Sequence, residues 1–78
     1  MTLRELLTER GLSLEAMAIL GGVDASTISR IASGRTRARP ETIVRVSRGL
    51  GISARRFQGI CDASWFAAHP GDGVQAGS

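Results

Sequence analysis

The chain has a single cysteine, a single histidine, no tyrosine and no lysine. With Cys61 alone, neither an intrachain disulfide nor a thiolate-built metal site can form. His69 stands eight residues beyond Cys61, about two turns away on a helix, too far for a nucleophile–base pair. No metal-ligand cluster, glycine-rich phosphate loop or nucleophile elbow is present. The expectation is therefore no enzyme and no cofactor. Aromatic residues make up 4% of the chain, which argues against a ring-lined platform for stacking single-stranded bases or RNA. No apolar run reaches the roughly 18 residues of a membrane span, and no signal-peptide pattern is visible. No membrane partner is expected, and a cytoplasmic location is.

What the chain does have is arginine, ten of them. A G+C-rich genome could supply arginine in place of lysine, so abundance alone is ambiguous; placement is not. Residues 1–29 carry two arginines against Glu5, Glu9, Glu15 and Asp24, whereas residues 30–56 carry eight against Glu41 alone. Residues 57–78 add only Asp62 and Asp72. A net charge of +3 thus conceals a strongly basic middle between mildly acidic ends. That asymmetry points to a polyanionic partner.

At 78 residues there is room for one domain and one small core, burying roughly 60% of the unfolded surface. The punctuation is that of short helices. Thr2-Leu3-Arg4-Glu5 fits a capping box ahead of a helix over about residues 3–10, which Gly11 ends. Ser13 caps a second helix whose Leu14, Met17, Ala18 and Gly21 share a face, broken at Gly21-Gly22. Asp24 caps a third, about Ala25 to Ser33, with Ile28 and Ile31 inward and Gly34 as its stop. Pro40 suits the first position of a fourth helix, carried by Ile43, Val46, Ser47 and Leu50 to Gly51. Ser53 caps a fifth with an apolar side of Phe57, Ile60, Cys61, Ser64 and Ala68, Trp65 at its edge, closed by Pro70 and Gly71. No segment alternates with the period of a strand. The expected fold is all-α, a five-helix bundle over residues 1–69 with an extended C-terminal helix and a disordered tail over 70–78.

One spacing carries the functional reading. Ala18, Gly22, Ile28 and Ile31 fall at intervals of 4, 6 and 3. Two helices crossing steeply through a short turn need a small residue at the crossing, a glycine where the turn takes positive φ, and apolar locks on the second helix. With the segments Leu12–Ala18, Gly22–Ile31 followed by Gly34, and Pro40–Ile43 with Leu50–Ser53, the sequence resembles the Cro/lambda-repressor-like helix-turn-helix domains, also called the xenobiotic-response-element type. The resemblance covers about Leu3 to Phe57. It departs from the family at Leu14, often a phosphate-gripping Gln, and at Ala32, often Glu.

The resemblance implies that the third helix enters the major groove, with Ala25, Ser26, Ser29 and Arg30 facing bases and Thr27 meeting phosphate. Helical geometry supports the division. Ile28 and Ile31 mark the buried side, so Ser26, Ser29, Arg30 and Ser33 point outward, with Ala25 exposed at the tip. Arg30 could fork onto guanine O6/N7, and Ala25 could touch a thymine methyl. The bland alternative is a solvated helix of small residues. Arg35, Arg37 and Arg39 follow in a loop whose arginines, at alternate positions, suit phosphates along one groove edge. Arg55 and Arg56 oppose the dipole of the fifth helix's first turn, a conflict that an anion or coding bias would explain. Arg45 and Arg48 read as solvated, and Cys61 as a buried small hydrophobe.

Trp65 and Phe66 suggest a dimer or partner contact, the alternative being additional core. The expected function is a transcriptional regulator of double-stranded DNA, nucleoid-associated when bound. The leading form is a repressor acting as a homodimer on an inverted repeat. The alternative is an antitoxin or phage accessory protein whose C-terminal helix binds a protein partner.

Overall fold

Three of the five helices begin at a side-chain cap, and the first four end at or beside a glycine that lets the chain turn. The structure, a computed structural model, describes residues 1–71. In it α1 (Leu3–Arg10), α2 (Leu14–Gly21), α3 (Ala25–Ala32), α4 (Pro40–Leu50) and α5 (Ala54–Ala68) follow in order, with no strand among the described residues. The α1 capping box is formed: the Glu5 amide donates to Thr2 Oγ1 at 3.3 Å and the Thr2 amide to Glu5 Oε1 at 2.7 Å. The Thr2 backbone amide, and after it the Thr2 side chain, holds the Glu5 carboxyl below its ordinary pKa. Ser13 and Ser53 cap α2 and α5, accepting from the Ala16 and Arg56 amides at 3.0 and 3.1 Å.

α3 departs from expectation at both ends. Asp24 occupies the N-cap with extended backbone, but its side chain makes no capping hydrogen bond. The helix stops at Ala32, one residue early, because Ser33 caps it and Gly34 takes the left-handed turn at φ 75°. The tail expected over 70–78 lies outside the described residues apart from Pro70 and Gly71. Those two are helical in backbone conformation rather than the plain stop expected after Ala68.

The core is one cluster. α1 contributes Leu3, Leu6 and Leu7, α2 Met17 and Ala18, and α3 Ile28, Ile31 and Ala32. Ile43, Val46 and Leu50 of α4 join Phe57, Ile60 and Cys61 of α5 to complete it. α2 packs on α3 and α4, while α5 lies across α1, α3 and α4. The α2–α4 approach is close because Gly21 abuts Val46 and Gly49 abuts the Leu20 backbone, so a Cβ at either would collide. Polar ties fasten the periphery. Ser64 Oγ accepts from the Leu3 amide at 2.8 Å and donates to the Ile60 carbonyl at 3.2 Å. Arg10 donates to the Leu50 carbonyl at 3.2 Å. Among the described residues no helix is long and apolar enough to cross a membrane. Ala68, expected on the apolar side of α5, is exposed, although it lies against Gly34 just after α3.

Candidate nucleic-acid interface

The turn between α2 and α3 is made as the spacing requires. Ala18 is buried where the helices meet, and Gly22 takes φ 66°. With Ile28 and Ile31 seated in the core, Ser26, Ser29, Arg30 and Ser33 are exposed on the opposite side of α3. Thr27 is half-buried. Ala25 corrects one expectation. It is not exposed at the tip but half-buried against the core, because the first turn of α3 leans onto the bundle.

The loop after α3 is wound back onto its end. The Arg30 carbonyl accepts from the Arg35 amide at 2.9 Å, the Thr36 amide at 3.4 Å and Ser33 Oγ at 3.2 Å. Ala38 packs toward the core, so Arg37 and Arg39 on either side of it are left exposed, as is Arg35. Between α3, this loop and the start of α4 lies a cleft of about 270 Å³ lined by Thr27, Arg30, Thr36, Arg37, Arg39 and Thr42, with Ile31 and Glu41. It brings together four of the residues singled out from sequence: Thr27, Arg30, Arg37 and Arg39. Arg35 does not line it. A cleft of guanidinium groups and hydroxyls beside a helix of small side chains is chemically suited to phosphate oxygens next to base edges.

Trp65 and Phe66 turn out to belong to this neighbourhood. The Arg37 guanidinium carbon lies 4.9 Å from the Trp65 ring centroid and 5.3 Å from that of Phe66. Arg37 Nη1 stands 3.8 Å from Asp62 Oδ1. His69 stacks on Trp65 with centroids 3.9 Å apart and planes at 19°. Its Nε2 lies 2.8 Å from the Gly34 carbonyl. A carbonyl only accepts, so at this contact Nε2 carries the proton. Sequence reasoning missed Asp62 and His69. Their spacing with Trp65 and Phe66 (62, 65, 66, 69) marks one face of α5, but it does not say which loop that face meets.

Cys61 is buried, and its thiol is pushed up to about 12, first by burial and then by the neighbouring Asp62 carboxylate. It takes no part in the basic surface. Gly34, 3.0 Å from the Ser64 carbonyl when given a Cβ and closer still to Ala68, is the point where the end of α3 lies against α5.

Comparison with curated proteins and with solved structures found no match. A family model described as helix-turn-helix matches residues 3–57, which include α1 to α4, the start of α5, and all four residues of the cleft named above. The chain therefore belongs to the Cro/lambda-repressor-like helix-turn-helix family, the DNA-binding transcription regulators that engage double-stranded DNA.

Proposed function

We propose that the protein is a repressor that reads a specific operator, as a homodimer on an inverted repeat in the cytoplasm. The observation that carries this reading is the juxtaposition of the exposed α3 face with the arginine-lined cleft at its C-terminal end. Ser26 and Ser29 are short enough to let α3 approach the bases closely, and Arg30 is the one long side chain on that face. It forks onto guanine O6/N7. Ala25 offers the exposed part of its methyl group to a thymine methyl. Thr27, Arg35, Arg37 and Arg39 hold phosphates and set the register. With a single long reader per protomer, two copies about 34 Å apart on one face of the duplex supply the specificity that one lacks.

Selection of bound duplexes from random sequence tests this directly. A palindromic consensus is the expected result, and a single half-site would replace the homodimer with a monomer. No enrichment above background would overturn sequence-specific binding. A second reading, docking on a protein partner, draws on Ile19, Leu20 and Val44, which are apolar and exposed at 79%, 46% and 43%. Retention of a stoichiometric protein through purification, with no selected duplex, would favour it.

A further inference from the structure

Trp65 and Phe66, expected at a dimer or partner contact, also lie against Arg37 of their own chain. Resting on the DNA-binding reading above, we propose that Trp65, assisted by Phe66, is a positioning residue for DNA binding. Its indole face holds the Arg37 guanidinium at the cleft edge, so that Arg37 meets a phosphate already oriented.

An arginine on an exposed loop has among the largest rotamer entropies of any side chain, and a contact that must first order it is weakened accordingly. Arg37 is such a residue, with its side chain 54% exposed. Both ring distances, 4.9 and 5.3 Å, lie within cation–π range. A cation over a ring is drawn to it through its charge, while the five N–H donors of the guanidinium fan out around its edge. Arg37 held over these rings therefore keeps donors for phosphate while losing its freedom to wander. The Asp62 pair at 3.8 Å is exposed and weak, and salt screens it. The rings are the main restraint.

Trp65 is itself held. His69 covers its ring and also grips the Gly34 carbonyl, so the support is tied to the loop at both ends. Trp65 Nε1 is buried and finds no hydrogen-bond partner among the described residues. What the indole contributes here is therefore its ring face and not its N–H. All four residues of this brace, Asp62, Trp65, Phe66 and His69, lie beyond the end of the family match at residue 57.

The test is a double-mutant cycle on a selected duplex, read as dissociation constants, with far-UV circular dichroism to confirm that each variant folds. Trp65→Leu is expected to weaken binding about three-fold, and Trp65→Phe, which keeps a ring face, to restore most of it. Combined with Arg37→Ala, Trp65→Leu should add nothing further, whereas with Arg39→Ala the two losses should multiply. Trp65 is the sole tryptophan and tyrosine is absent, so fluorescence reports this site alone. Its emission should change when duplex is added to the wild-type chain and should respond less in Arg37→Ala. Binding unaffected by Trp65→Leu, or lost independently of Arg37, would overturn the inference while leaving DNA binding intact. A loss that tracks dissociation of a dimer in sedimentation equilibrium would overturn it in favour of a subunit contact. Failure of the wild-type chain to bind any duplex would overturn the DNA-binding reading itself, and this inference with it.

Discussion

Gly34 and Gly22 both sit at positive φ, yet the two glycines face different surroundings. A Cβ at Gly22 meets nothing within 4 Å, so Gly22→Ala carries the backbone strain alone, about 1–2 kcal/mol. At Gly34 the same atom collides with Ala68 and crowds the Ser64 carbonyl at 3.0 Å, so α5 has to move. Gly34→Ala is expected to cost about 3 kcal/mol in urea unfolding. A loss equal to that of Gly22→Ala would mean that α5 yields freely. Arg30→Ala should relax preference at one base pair, by about 1–3 kcal/mol, in competition against duplexes substituted at each position. Unchanged affinity and preference would remove α3 from base reading. Cys61 makes a different kind of prediction. Folding raises its pKa to about 12, so ionisation favours the unfolded chain. The stability tied to it is intact below the ordinary thiol range and is lost as pH climbs toward that value. A thiol reagent at neutral pH should label Cys61 only as fast as the protein opens. Rapid labelling in native buffer would contradict its burial.

Helix starts that look alike in sequence differ in how they are held. Ser13 makes its capping bond and Asp24 does not. Ser13→Ala should therefore lower stability by about 1 kcal/mol, and Asp24→Ala by clearly less. Equal losses would imply a cap at Asp24 formed only part of the time. At α1 the Thr2–Glu5 box lowers the Glu5 pKa. Its contribution is present above the ordinary carboxylate range and disappears as pH falls through the depressed value, which a chemical-shift titration of Glu5 would follow. The helices and the α2–α3 turn were legible because caps, glycine stops and the Ala18–Gly22–Ile28–Ile31 spacing are local steric requirements. The exposed α3 face followed from the same periodicity. Ala25 was misjudged because its burial depends on how α3 leans on the bundle, which no local pattern records. The fit between Arg37 and the 62–69 face of α5 was hidden for the same reason. Each half is readable as a charged loop or an aromatic edge, but their meeting is set by how α5 crosses α3.

Across the whole molecule, charge and packing divide the chain differently. The basic residues cluster in 30–56, but only some of them flank the α3 face. Binding should weaken with salt, and Arg39→Ala should reduce the magnitude of the log–log slope by about 0.9. Arg48→Ala, on α4 and away from the cleft, should leave the slope unchanged. An equal reduction would mean that the basic middle acts as a diffuse cloud with no defined contacts. The limit of family resemblance at Phe57 also falls inside a structural unit. Beyond it, Ser64 fastens the start of α1 and His69 fastens the loop after α3. A chimera spliced at that limit would inherit a complete helix-turn-helix and exchange the ties to the start of α1 and to the loop after α3. Recombination among relatives at this seam would thus retune how stiffly an unchanged set of reading residues is presented, without altering one of them.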